Sequence, residues 1–198
     1  YVLAGIHEAF PDLACAGSDV FLEGLAFAQS RAPDVPLFQM SAQAIPFDSA
    51  FDVVGAFDVL EHIDDDTRAM QQMFQAVVPG GGSIVTVPQH RFLWSAMDEH
   101  SFHKRRYARA DLVRKLEAAG FRGTRTTSFV SLLLPLMMVA RLRRRGSRPF
   151  DALAELRVGD ALNGVLQRIM DLERGFITRG VALPAGGSLL AVAHRPPS

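Results

Sequence analysis

A single cysteine, Cys15, is the whole thiol content of this 198-residue chain. It excludes an internal disulfide framework and a multi-cysteine metal site, and it fits a reducing, cytoplasmic compartment. No apolar run reaches the roughly 18 residues that a membrane-spanning helix needs, and the opening residues carry no signal-peptide pattern. The chain starts at Tyr1 without a methionine, so residues upstream are expected. Net charge is also missing, with 21 Lys/Arg against 21 Asp/Glu. That zero is an average. Residues 1–100 hold 3 Lys/Arg and 14 Asp/Glu, a balance of −11, and residues 101–198 hold 18 and 7, a balance of +11. The two halves either neutralise each other within one fold or present a basic surface to an anionic partner. Nucleic acid ranks low as that partner, because no aromatics interleave with the arginines and no nucleic-acid motif is present. What remains is an ordinary globular composition, 48% hydrophobic and 21% charged.

Along the first half, short apolar runs alternate with helical patterns. Helices are expected over residues 1–10, 21–31 and 64–78, and strands over 13–17, 36–40, 51–57 and 83–87. The Pro79-Gly80-Gly81-Gly82 stretch should break the chain between the third helix and the β-branched run 83–87. Further on, a helix over 109–119 should stop at Gly120, followed by a strand over 121–129. A long amphipathic helical region should cover 151–178, with a final strand at 188–194. This alternation predicts an α/β fold: a Rossmann-like, mostly parallel sheet with helices on both faces. Such sheets bind ligands beyond the carboxyl ends of their strands. Attention therefore falls on Asp19, Ser41, Asp58, Glu61, His62 and the stretch from Gln89.

Asp19 follows a strand and precedes a helix, where a carboxylate either caps the helix or receives ribose hydroxyls. Residues 51–63 read FDVVGAFDVLEHI and deliver Asp58, Glu61 and His62 to the ligand edge; the alternative is that Asp58 caps a helix and Glu61 is solvated. The run PFDSAFDVVGAFDVLEHI, then a helix, then VPGGGSIVTVP, resembles the class I S-adenosylmethionine-dependent methyltransferases. The resemblance covers residues 1–129, with 188–194 similar to that family's antiparallel last strand. It implies S-adenosylmethionine as cofactor and a core formed by residues 1–129 and 184–198. On the matching positions it implies that Asp19 binds the ribose, Val20 packs on the adenine, and Ser41 and Ala42 meet the adenine edge. Phe57 and Asp58 would line the cofactor, and His62 would lie near its methyl end.

Two departures stand out. The family's first strand and glycine-rich loop have no counterpart, and residues 1–6 resemble the helix that follows that loop. A chain without the loop should bind cofactor weakly, having lost its backbone amides. Ser41 also stands where the family usually has an acidic residue.

Residues 88–107, PQHRFLWSAMDEHSFHKRRY, follow the fifth strand of the resemblance. One reading makes His90, Trp94, Arg105, Arg106 and Tyr107 a substrate floor. Asp98 then orients His103, which removes a proton from an acceptor, and the arginines grip a phosphate or carboxylate. The other reading is a structural loop in which Asp98 pairs an arginine and the aromatics pack. His100, His103 and Asp98 fall short of a zinc set for want of further ligands, so no metal is expected. Residues 130–183 are expected to be a helical insertion. Its apolar run 130–140 is followed by Arg141, Arg143, Arg144, Arg145 and Arg148, which suits a helix packed in the core or a homodimer interface with a solvated basic end, a lid, or peripheral membrane contact. The function expected is methyl transfer to a small or amphipathic, anionic or lipid-like acceptor. The alternative is a catalytically silent binding or scaffold protein of the same fold.

Overall fold

The structure is a computed structural model that describes residues 1–143 and 159–197; of residues 140–143 and 160 only the backbone is described. In chain order the elements are α1 (Val2–Ala9), β1 (Gly17–Asp19), α2 (Leu22–Arg31), β2 (Leu37–Gln39) and β3 (Phe51–Phe57). Then come α3 (Asp66–Ala76), β4 (Val77–Pro88), α4 (Ala96–His100), α5 (Arg109–Ala119) and β5 (Arg122–Phe129). The chain ends with α6 (Leu134–Arg143), α7 (Asp160–Thr178) and β6 (Ser188–His194). Short 3₁₀ turns occupy Leu60–His62 and Arg91–Leu93.

Four strands form one mixed sheet in the order β3-β4-β6-β5. β3 runs parallel to β4, while β6 lies antiparallel between β4 and β5, as expected for the last strand. Strand alternation sends Val85 and Val87 of β4, and Leu189, Ala191 and Ala193 of β6, to one face. There they meet Ala69, Met70 and Met73 of α3 and Leu112 and Leu116 of α5, apolar positions at helical spacing. Each large side chain buried here contributes about 1.5–3 kcal/mol.

The parallel part is divided. β1 pairs with β2 in a separate two-stranded ladder, and among the described residues no strand bridges it to β3. Beside this ladder α1 and α2 bury no residue, and Phe10, Leu13, Val20, Phe21, Leu22 and Phe27 are exposed.

Two expectations need correction. Residues 13–16 are not strand, and pairing begins only at Gly17, where the backbone meets β2. The 79–82 stretch does not break the chain, for β4 runs through it. Gly80 takes φ +85°, and the register against β3 shifts between Phe51 and Val53 to absorb the extra residues. A Cβ on Gly81 would lie 2.5 Å from the Asp52 carbonyl oxygen, so only glycine lets the strands meet there.

α6 and α7 stand between β5 and β6 in the chain. α7 is tied in by the buried Glu173, whose Oε2 accepts the Ser131 and Leu132 N–H groups at 2.7 and 2.8 Å. α7 also meets the sheet around a cavity of about 300 Å³ lined by Thr86, Phe129, Leu190, Met170 and Ile177. Arg144, Arg145 and Arg148 lie outside the described residues, as does the segment 151–158 of the expected long helix. Arg141 and Arg143 are described only as backbone of α6.

Candidate functional site

Because β3 and β4 are parallel, their carboxyl ends lie side by side, with Phe57 opposite Thr86. The chain leaves both strands under strain. Asp58 has φ +53° and His90 φ +62°, and Val130 beyond β5 has φ +57°. Left-handed backbone at non-glycine residues costs of the order of 1–3 kcal/mol each and collects at functional sites. At Asp58 it is held by the residue's N–H, which donates to the Thr86 carbonyl oxygen at 3.0 Å and hydroxyl at 3.1 Å.

The strained turns bring the long 88–107 segment back over the strand ends. Asp98, buried in α4, is its hub. Its Oδ2 accepts from the Ser95 N–H at 2.8 Å and the Ser95 hydroxyl at 2.9 Å. Arg106 donates through Nε to Oδ1 at 2.7 Å and through Nη2 to Oδ2 at 3.1 Å, and through Nη1 to the Gln89 carbonyl at 3.1 Å. His103 Nδ1 lies 3.0 Å from Asp98 Oδ1. Burial alone would raise the Asp98 pKa, but the Arg106, His103 and Ser95 hydrogen bonds overcome it and hold the carboxyl below its ordinary range. An ionised Asp98 accepts only, so His103 Nδ1 is the donor in this bond and Nε2 is turned away from Asp98. Asp98 thus pairs an arginine and also bonds the His103 ring.

Against this pair stands the 3₁₀ turn at Leu60–His62. The rings of His62 and His103 meet edge to face, centroids 4.7 Å apart. Desolvation, and then the neighbouring His103, lower the His62 pKa below the ordinary imidazole value. Beside them Glu61 is 1% exposed, and its Oε2 has no hydrogen-bond partner. Burial, reinforced by Asp58 and Asp98 nearby, pushes the Glu61 pKa up to about 7. The folded state therefore binds a proton that the unfolded chain has released. That contribution to stability is full below the ordinary glutamate pKa and is lost as pH rises through 7. In metal-free buffer the wild type should lose up to about 3 kcal/mol between pH 5 and pH 8 from this group. Glu61→Gln should flatten that slope, as followed by urea unfolding at each pH.

The remaining expected residues fall into two groups. Asp19, Val20, Ser41 and Ala42 sit at the ends of β1 and β2, where the Met40 N–H donates to the Asp19 carbonyl at 3.2 Å. Asp19 Oδ1 accepts the Phe21 N–H at 2.8 Å, a turn that starts α2. A Cβ on Gly24 would lie 2.6 Å from Oδ2, so glycine there leaves the carboxylate room. The Ser41 hydroxyl accepts the Gln43 N–H at 3.2 Å. Gln43 is joined to α3 through Arg68, which ties this ladder to the main sheet. Phe57 is half-buried, and His90 stacks on Phe92 with its Nε2 buried and unpartnered. Trp94 Nε1 donates to Glu99 at 3.4 Å.

The second group is corrected. Tyr107 has 0% exposure and donates its hydroxyl to Asp66 Oδ2 at 2.6 Å and to the Leu60 carbonyl at 3.2 Å, so it is a core residue and touches no substrate. Arg105 is engaged with Asp66 at 3.0 Å and with the Asp64 carbonyl at 2.8 Å. Arg106 is spent on Asp98 and Gln89. These arginines hold the loop; they are not a free anion clamp. Glu61 lies at the ligand edge as the sequence placed it, but it is buried and not solvated, carried inside by the apolar turn between Leu60 and Ile63.

Residues 3–85 match the family model described as a methyltransferase domain. A Mycolicibacterium smegmatis protein named as a probable S-adenosylmethionine-dependent methyltransferase is 31% identical over 100 residues, 49% of this chain and 39% of that protein. The chain thus spans well under half the length of this curated relative. Among solved structures, a Thermotoga maritima S-adenosylmethionine-dependent methyltransferase shares the fold at TM-score 0.59 and 15% identity, over 98% of this chain and 78% of that one. So does phosphoethanolamine N-methyltransferase 2 of Haemonchus contortus in complex with S-adenosyl-L-methionine, at TM-score 0.60 and 16% identity, over 97% of this chain and 46% of that one. Residues 3–85 thus match a methyltransferase domain model, and the chain shares the fold of these solved methyltransferase structures.

Proposed function

We propose that the protein transfers a methyl group from S-adenosylmethionine to a small, amphipathic, anionic acceptor. The observation that carries this is the meeting of strained strand ends (Asp58 and His90) with the Asp98–His103 pair at the carboxyl edge of β3 and β4. The residues present fit the cofactor. Asp19 keeps Oδ2 for ribose hydroxyls above Gly24, and the adjacent Val20 is exposed for an adenine face. Ser41, Ala42, Phe57, Asp58 and His62 continue that surface.

When bound, S-adenosylmethionine supplies an activated methyl on a sulfonium, open to in-line displacement by an acceptor lone pair. The chain aligns the two and manages the proton. His103 Nε2, turned away from Asp98 by the bond from Nδ1, takes the proton from an acceptor hydroxyl. Asp98 acts through His103 as a positioning residue. His90 and Trp94 line the acceptor side. Exposed Leu136, Met138 and Val139 of α6 and Leu162, Val165 and Leu172 of α7 support an amphipathic acceptor covered by the insertion. The excess of basic residues in the second half supports an anionic one. Among the described residues no helix is long and apolar enough to cross a membrane.

The test offers tritiated S-adenosylmethionine with a panel of hydroxylated and phosphorylated amphiphiles. Transfer to at least one is expected, with His103→Asn slower by at least about a hundredfold and S-adenosylhomocysteine binding unchanged. Absence of any thermal stabilisation by S-adenosylhomocysteine in the intact protein would favour a silent binding role instead.

A further inference from the structure

We propose that Glu61, His62 and His103 form a binding site for a divalent transition-metal ion at the carboxyl edge of β3. One donor atom of each of the three side chains lies within 4.8 Å of those of the other two. They are the one such trio among the described residues, and they replace the His100, His103 and Asp98 set that the sequence suggested and did not favour.

Three independent features point to an ion. The Glu61 carboxylate is 1% exposed, yet Oε2 has no partner, which is costly unless something positive meets it. His103 is oriented by the buried Asp98 through Nδ1 at 3.0 Å, leaving Nε2 as donor. A carboxylate behind a ligating histidine is the usual way a protein fixes the tautomer and raises ligand basicity. Finally, His62 is exposed while Glu61 is not, so one side of the trio is open to solvent. Two imidazoles and one carboxylate with open positions suit zinc or ferrous iron, and not magnesium, which prefers an all-oxygen shell. Bond lengths of about 2.0–2.2 Å would require the donors to close by roughly an ångström, within reach of side-chain torsions.

Metal binding itself does not depend on the methyl-transfer reading; its consequence does. With the ion in place, the His103 lone pair is occupied. The ion's open positions would then take the acceptor's oxygen and lower its pKa, assuming the work given above to free imidazole.

The chelator-treated intact protein is titrated with Co²⁺, whose visible absorption reports its ligands. One Co²⁺ per chain, displaced by Zn²⁺, is expected. Glu61→Gln and His62→Ala should each weaken binding by more than about tenfold, and so should Asp98→Asn acting from behind His103. His194→Asn, exposed at the opposite end of β6, should leave it unchanged. Should Glu61→Gln fail to fold, the exposed His62→Ala decides. No stoichiometric Co²⁺, or equal affinity in His62→Ala, overturns the inference. Stabilisation by S-adenosylhomocysteine is read on the same chelated samples. Its survival without metal binding sinks this inference alone, and its loss with metal binding intact sinks the methyl-transfer reading alone.

Discussion

Asp98→Ala is expected to cost about 3–5 kcal/mol of stability, seen as a fall in melting temperature of roughly 10 °C for a chain of this size. The reason is what the substitution leaves behind. Asp98 is 1% exposed and, among the described residues, is the only carboxylate in an ion pair with Arg106, whose side chain is 8% exposed. Removing it strands a guanidinium in a dry place, frees the Ser95 N–H at the start of α4, and releases the His103 ring. Asp98→Asn keeps the shape but takes the charge from both Arg106 and the His103 Nδ1 bond, so it costs stability as well as chemistry. Turnover should fall by roughly a hundredfold while S-adenosylhomocysteine binding stays within a few-fold. A variant as active and as stable as wild type would show that the hub is ornamental.

The second large effect belongs to Asp66, at the first turn of α3. Its Oδ2 accepts from Tyr107 and Lys115, each at 2.6 Å, and its Oδ1 faces Arg105 at 3.0 Å. Burial would raise its pKa, but the Lys115 and Tyr107 hydrogen bonds and the cationic neighbours more than offset this and hold it below the ordinary range. A depressed carboxyl stabilises the fold above its unfolded pKa, and that stabilisation is lost as pH falls through the folded value. Asp66→Asn should therefore cost about 3–5 kcal/mol at pH 7, since Lys115 and Arg105 lose their buried partner. The gap between variant and wild type should narrow in acid, below the usual aspartate range. Denaturant unfolding at pH 7 and pH 3 measures both. A gap that stays constant across that range would contradict the assignment.

What the sequence could convey follows from range. β3, β6 and α5 form just where their patterns place them. An apolar run, a β-branched run, and an amphipathic stretch ended by Gly120 at φ +116° are local signals. The Asp98–His103 bond spans five residues and is similarly legible. Tyr107, Arg105 and Asp66 are not, because their partners lie some 40 positions away and an arginine in a loop looks the same free or paired. The glycines before Ser83 look like a breaker because their tight approach to the Asp52 backbone is a property of the neighbouring strand. Glu61 is hidden by its type: a carboxylate is assumed to seek water, and only the turn that buries Leu60 beside it takes it inside.

The claim beneath all of this is that the carboxyl ends of the parallel strands receive the adenosyl donor. Crystals of the intact protein soaked in S-adenosylmethionine test it most directly. The account predicts ribose hydroxyls on Asp19, adenine against Val20 and Ser41, and the sulfonium methyl turned toward His62 and His103. Donor density at another face, or none at saturating concentration, would contradict it.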